Sequence, residues 1–286
     1  MQLAPDSLDI PPASQGKAGL GTALITGASS GIGYELANIF AERGHPVVLV
    51  ARSGGKLRDL ANQLTDRCGV AALAIATDLE VPKSAKELFV ELRQRNVQVD
   101  ILVNCAGFAV QGPVAENDAA QLLGMLQLNI VAVTLLTRLI LPSMLERGYG
   151  RILNVSSVAA YMPGPLMAAY FASKAYVLSF SEALANELAD AGVSVTTLCP
   201  GPTRTGFEKR AGLSDSKAFR GRIMDAAAVA HAAYDAVMAG KSVVVPGWKT
   251  RLQLMPALLM PRSVLAHFAR QYNDAAPKAS ALPASR

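Results

Sequence analysis

Tyr170 and Lys174 stand four residues apart in the stretch Tyr170, Phe171, Ala172, Ser173, Lys174, which otherwise reads as helix. At that spacing a phenol and an ammonium share one helical face. A free phenol, with a pKa of about 10, exchanges protons poorly near neutrality. A shielded ammonium within ~4 to 6 Å lowers that value by roughly one to three units, toward the range where general acid–base catalysis is effective. The pair therefore predicts proton transfer at a substrate oxygen, with Lys174 lowering the pKa of Tyr170. Taken alone, the same spacing also describes ordinary helix surface, so the reading rests on the elements around it.

Thr22, Ala23, Leu24 and Ile25 form a short apolar strand candidate. It runs into Thr26, Gly27, Ala28, Ser29, Ser30, Gly31, Ile32 and Gly33, after which Tyr34 to Arg43 has helical character. Glycines between a strand and a helix permit a tight turn and close backbone approach, and the free amides of the following helix attract a pyrophosphate. The context favours dinucleotide binding over a plain glycine turn. The spacing is Gly-x-x-x-Gly-x-Gly, which points to one branch of the Rossmann group. The next strand, Val47 to Ala51, ends at Arg52 with no carboxylate. An acidic residue there would repel a ribose 2′-phosphate, whereas a guanidinium fork suits one. The expectation is NADP(H) rather than NAD(H), the alternative for Arg52 being a solvated loop residue. Ala71 to Ala76 reads as a third strand, followed by Asp78 and Leu79. Asp78 suits an adenine amino group or the cap of the next helix equally. A fourth strand from Asp100 ends in Asn104, Cys105, Ala106 and Gly107, small enough for a cofactor ribose to lie against the backbone.

Further along, an amphipathic helix from about Asp118 to Leu145 holds Asn129 among apolar neighbours. A strand from Arg151 to Val155 ends at Ser156 and Ser157, and a loop with Pro163, Gly164 and Pro165 leads to Tyr170. Ligands of open α/β sheets sit beyond the carboxyl ends of the strands, so a strand-end hydroxyl and Tyr170 can converge on one atom. Val193 to Leu198 reads as a strand, Asp225 to Met238 as a helix, and Lys241 to Val245 as a last edge strand. The alternation predicts an α/β fold: a Rossmann-type, doubly wound parallel sheet in three α/β/α layers, forming a single domain over residues 20–247. Residues 1–19 read as a flexible tail and 273–286 as a disordered one. Residues 248–272, apolar and punctuated by Pro256 and Pro261, suit three roles: covering the active site, joining subunits, or touching a membrane surface peripherally. Gly206 to Met224 has the look of a mobile lid. Its Phe207, Phe219 and Met224, with Phe108, Val110, Tyr161, Met162 and Met167, suit either a hydrophobic pocket or core packing.

Composition narrows the classes. Of 286 residues, 51% are hydrophobic and 17% charged, which fits a sheet buried on both faces and argues against a disordered chain. The net charge of +5 comes without a dense Lys/Arg run, so no nucleic-acid partner is expected. Cys68, Cys105 and Cys199 lack metal-ligand spacing or a disulfide framework, so no metal site is expected and a reducing, cytoplasmic compartment is. The first twenty residues lack a secretory pattern, and no uninterrupted apolar run reaches the ~18 to 20 residues of a membrane span.

Jointly, Thr26 to Gly33, Asp78, the Asn104 to Gly107 turn, Asn129, Ser157, Tyr170, Lys174 and Pro200-Gly201 with Thr205 resemble the short-chain dehydrogenase/reductase family, from roughly Thr22 to Gly247. Leu49 to Ser53 and Leu198 to Thr205 resemble its NADP-preferring bacterial branch. Cys105 departs from the pattern, standing where relatives usually carry a second asparagine. The resemblance implies hydride transfer between nicotinamide and a small-molecule ketone, aldehyde or secondary alcohol, and the apolar pocket candidates above suit a hydrophobic one. It implies that Tyr170 acts as acid or base and that Ser157, chosen over Ser156 by its interval to Tyr170, holds the oxygen. Lys174 would also bind the nicotinamide ribose, Asn129 steady a proton-resupplying water, and Thr203 and Thr205 fix the carboxamide beside Pro200 and Gly201. It further implies a homodimer or homotetramer built on the helices carrying Asn129 and Tyr170. A non-catalytic dinucleotide-binding scaffold or redox sensor is the alternative, but it needs the glycine turn without the other four residues.

Overall fold

The computed structural model describes residues 20–211 and 223–274. Six strands carry the sheet in chain order: β1 (Ala23–Thr26), β2 (Val47–Ala51), β3 (Ala72–Ala76), β4 (Ile101–Asn104), β5 (Gly150–Val155) and β6 (Val193–Leu198). Two short strands, β7 (Thr203–Arg204) and β8 (Met224–Asp225), pair with each other, and β9 (Val243–Val244) closes the sheet beside β6. The main sheet runs β3-β2-β1-β4-β5-β6-β9 with all neighbours parallel. β1 registers with β2 on one side (Ala23 opposite Val47) and with β4 on the other (Ala23 opposite Ile101), so the winding reverses there.

Helices fill both faces: α1 (Gly31–Glu42), α2 (Gly54–Cys68), α3 (Ser84–Gln94), α4 (Ala119–Leu126), α5 (Val133–Arg147), α6 (Ala168–Glu187), the short α7 (Phe207–Arg210) and α8 (Ala226–Met238). Side chains alternate across a strand. Ala23 and Ile25 accordingly pack with Leu36, Phe40, Val229 and Val237 on one face, while Leu24 packs with Leu88, Leu102, Leu136 and Ile152 on the other. Because both faces are covered, β2 and β3 read as continuous apolar runs. Each fully buried leucine contributes roughly 1.5–3 kcal/mol.

Several boundaries differ from expectation. The first helix begins at Gly31, inside the glycine turn. β9 is only two residues long, because only Val243 and Val244 register with Thr197 and Leu198. The long helix is interrupted: α4 and α5 are joined by a π-helical turn, Gln127–Ala132, that contains Asn129. The whole run Ala119–Arg147, 29 residues, is long and apolar enough to cross a membrane, but Leu136, Ile140 and Met144 of its inner face pack in the core against the sheet. The apolar extension expected after Gly247 is built of two helices, α9 (Trp248–Leu259) and α10 (Arg262–Asn273). Asn273 belongs to α10 rather than to a tail. It donates to the Pro165 carbonyl at 3.0 Å, and its own carbonyl accepts from Gln111 at 2.7 Å. The expected tails otherwise lie outside the described residues, as does Phe219 in the proposed lid.

Candidate active site

The glycine turn is shaped by close backbone approach. Gly27 has φ 72°, and a Cβ on it would lie 3.0 Å from the Ala106 backbone; one on Gly33 would lie 2.4 Å from the Gly27 carbonyl oxygen. Ser30 precedes α1 without a side-chain cap, and the first turn holds no carboxylate. The first-turn amides therefore keep their capacity for an anion. The turn forms one end of a cleft of about 990 Å³ that passes the carboxyl ends of β1, β4, β5 and β6. That size is at the upper end for small-molecule sites, ~300–1,000 Å³, and a glycine cradle with an uncapped helix fits a pyrophosphate-bearing dinucleotide.

Most of the expected residues line this cleft: Ser29, Gly31, Ile32, Arg52, Asp78, Leu79, Ala106, Gly107, Ser157, Tyr170, Lys174, Pro200, Gly201, Thr203 and Thr205. Thr26, Asn104 and Asn129 lie beneath its wall. Thr26 Oγ1 accepts from the Cys105 and Ala106 amides at 3.0 and 3.1 Å and donates to the Val103 carbonyl, because amides at the end of β4 have no ladder partner. That staple holds the turn despite Cys105. Asn104 donates to Asn154 Oδ1 at 2.9 Å. The Asn129 amide nitrogen donates to the Phe108 carbonyl and Ser173 Oγ, and its oxygen accepts from the Phe108 amide. Its side chain thus clamps the Gly107-Phe108 turn, with both amide protons engaged.

The reactive group forms where β5 ends and α6 begins. Ser157 caps the 3₁₀ turn Val158–Tyr161, accepting from the Ala159 amide at 3.1 Å, and faces the cleft. Ser156 instead donates to the Lys174 carbonyl at 2.8 Å, which makes it structural and leaves Ser157 as the available hydroxyl. Tyr170 and Lys174 are both buried, 8% and 6% exposed, and the Lys174 ammonium lies 5.8 Å from the Tyr170 ring centre. Lys174 Nζ donates to the Val155 carbonyl at 2.9 Å.

The expected fall in the phenol's pKa does not occur. Burial pushes Tyr170 up to about 12, with the neighbouring Ser157 hydroxyl pulling the other way. Burial likewise lowers Lys174 to about 8, opposed by the thiols of Cys105 and Cys199. Desolvation is the largest cause for both groups, and the ammonium is turned toward the Val155 carbonyl.

Arg52 stays half exposed, and its Nη1 pairs with Glu80 Oε1 at 2.7 Å. Asp78 accepts from the Glu80 amide at 3.0 Å, fixing this turn. Thr205 packs on the glycine turn, where a Cβ on Gly31 would come within 2.7 Å of its side chain, and it caps α7 by accepting from the Phe207 amide. Phe108, Met162, Met167, Phe207 and Met224 line the cleft, whereas Val110 and Tyr161 do not. The Tyr161 hydroxyl is turned to Cys199. Sequence reasoning missed Glu80, the Val155 carbonyl and the cleft-lining residues Thr250, Gln253, Leu254, Leu265 and Ala269 of α9 and α10. The only signal for the last group was the apolar character of the extension. No cluster of three or more potential metal ligands occurs among the described residues.

A parallel sheet whose order reverses beside an uncapped glycine turn is the architecture of dinucleotide-binding oxidoreductases. The family model for short chain dehydrogenases matches residues 21–215, and the chain belongs to the short-chain dehydrogenase/reductase family. It is 39% identical over 182 residues to a short chain dehydrogenase of Pseudocercospora fijiensis, a match that covers 63% of this chain and 59% of that relative's length. A short-chain dehydrogenase from Sphingobium yanoikuyae, solved in complex with NADPH, superimposes with a TM-score of 0.76 at 35% identity, covering 90% of this chain and 99% of that one. A bulky-bulky ketone specific alcohol dehydrogenase from Comamonas testosteroni does so with a TM-score of 0.71 at 31% identity, covering 84% and 94%.

Proposed function

We propose that the protein is an NADP(H)-dependent oxidoreductase that interconverts an apolar ketone or aldehyde and its alcohol. NADPH, when bound, would supply the hydride for the carbonyl carbon. The Tyr170 hydroxyl gives its proton to the carbonyl oxygen, so that hydride and proton together complete the alcohol. Ser157 donates a hydrogen bond to the same oxygen. Burial keeps Tyr170 protonated at neutral pH, the state that reduction requires. The Lys174 ammonium opposes negative charge left on the phenolate, and Asn129 holds the turn on which the reacting groups close. Arg52 takes the 2′-phosphate by exchanging its contact with Glu80, and the NADPH complex of the Sphingobium yanoikuyae relative supports that preference. Met162, Met167, Phe171 and Phe207 give the substrate end an apolar wall, in keeping with the bulky ketones named for the Comamonas testosteroni relative.

The observation that carries this reading is the burial of a phenol and an ammonium beside a strand-end hydroxyl in the same glycine-ended cleft. A scaffold without chemistry has no use for a desolvated lysine there. The test is NADPH consumption by the purified chain against a panel of bulky aryl and alkyl ketones and aldehydes. Turnover with at least one apolar carbonyl is expected, with NADH oxidised more slowly. NADPH binding without turnover on any member would favour the scaffold.

A further inference from the structure

The two sides of the α9–α10 roof differ. Inward, Leu254, Leu265 and Ala269 are buried against the cleft. Outward, Trp248, Leu252, Met255 and Leu259 recur at intervals of four, three and four residues, which sets them in one stripe along α9. They are 70%, 63%, 55% and 83% exposed. Phe268 and Tyr272, one turn apart on α10, are also exposed and stand on the cleft's rim. Seven of the sixteen exposed large apolar side chains among the described residues fall between Trp248 and Tyr272, so the patch is concentrated rather than scattered. The same segment carries Lys249, Arg251, Arg262 and Arg270, and no carboxylate between Trp248 and Asn273. On α9, Lys249 and Arg251 lie to either side of the apolar stripe, about 90° and 70° from its centre at ~100° per residue.

We propose that this roof docks on a bilayer containing anionic lipid, with the α9 stripe in the acyl boundary and the flanking cations among the headgroups. An apolar stripe with Trp at one end and basic borders is the pattern of a helix lying in the membrane interface. Charge selects this occupant over a second copy of the chain: two-fold pairing through this face would bring together two segments that each carry four cations and no carboxylate. The inference concerns the surface alone and holds whether or not the redox reading does.

Trp248 is the only tryptophan in the chain, which gives a direct probe. Full-length protein is mixed with phosphatidylcholine vesicles, with and without phosphatidylglycerol, and Trp248 emission and co-sedimentation are followed. Vesicles containing phosphatidylglycerol are expected to shift the emission to the blue, to permit quenching by brominated acyl chains, and to carry the protein into the pellet. Lys249→Gln and Arg262→Gln should each weaken binding about fivefold. Leu252→Ser with Leu259→Ser should abolish it while NADPH binding, unchanged, reports an intact fold. Unshifted emission with protein left in the supernatant overturns the proposal, as does equal binding to pure phosphatidylcholine. A blue shift produced by raising protein concentration without lipid also overturns it and assigns the face to a second copy.

Discussion

Every residue of β1 and β4 is buried, whereas α9 leaves four large apolar side chains of one stripe in the open. The glycine turn beside β1 admits no added atom at Gly33, and Thr26 ties it to β4 through three hydrogen bonds. The roof is tied to the body through its end, where Asn273 bonds Pro165 and Gln111, and its outer surface is shaped for something other than this chain's own core. In the first region, sterics fix one geometry for a ligand shared by many proteins. In the second, side-chain character sets what approaches the cleft and from which side. Substitutions in the two regions should therefore fail differently.

The largest effect is expected at the turn. Gly33→Ala places a Cβ against the Gly27 carbonyl oxygen, forcing backbone movement. It should cost about 3 kcal/mol of stability and remove NADPH binding, measurable by thermal melting and by cofactor titration. An unchanged melting temperature with normal cofactor affinity would show that the turn is not sterically fixed.

Lys174→Met separates catalysis from stability. Reduction should fall about 10²-fold or more, while the folded state gains stability at neutral pH. The sign follows from linkage. Burial lowers Lys174 from its ordinary 10.5 to about 8, so the folded chain binds fewer protons than the unfolded chain between those values. The cost of burying the charge, up to about 3 kcal/mol, is fully present below pH 8 and is relieved as pH rises toward 10.5. The variant's advantage in melting temperature should accordingly shrink between pH 7 and pH 10. In the native enzyme, kcat/KM for reduction should decline as pH rises through about 8, where the ammonium is lost.

Glu80→Gln tests the exposed end of the cleft. Releasing Arg52 from its carboxylate should tighten NADPH up to about fivefold and leave NADH nearly unchanged, since an exposed pair is worth about 1 kcal/mol or less. Equal changes for both cofactors would separate Arg52 from phosphate recognition. The smallest effect belongs to the roof: Leu252→Ser should alter stability by less than about 0.5 kcal/mol and leave turnover on a soluble ketone unchanged. A large loss of either would mean that the outer stripe supports the core.

The nucleotide-binding half was the more legible of the two because its constraints are local. Strand, glycine turn and helix follow one another in sequence, and the buried strands are apolar throughout. Tyr170 and Lys174 could be paired from their spacing alone, whereas Ser157 was separated from Ser156 only through the family resemblance. What escaped depended on distant partners. The engagement of Asn129 rests on Phe108 and Ser173, and the interruption of its helix by a π turn has no mark in the apolar pattern. The pKa of Tyr170 depends on burial, which spacing does not report, so the shift was expected in the wrong direction. Arg52 showed no sign of its tie to Glu80, 28 residues away. The roof was visible as an apolar stretch with three roles open to it, and its place over the cleft depends on contacts made by Leu254, Leu265 and Ala269 that are distant in sequence from the rest of the lining.

The most direct measurement is the turnover of Tyr170→Phe on a ketone the native enzyme reduces, with NADPH affinity titrated on the same preparation. Loss of the single phenolic proton should lower kcat about 10²- to 10⁴-fold while leaving the dissociation constant for NADPH essentially unchanged. Near-native kcat with undiminished cofactor binding would contradict the assignment of Tyr170 as the proton donor and, with it, the chemistry placed in this cleft.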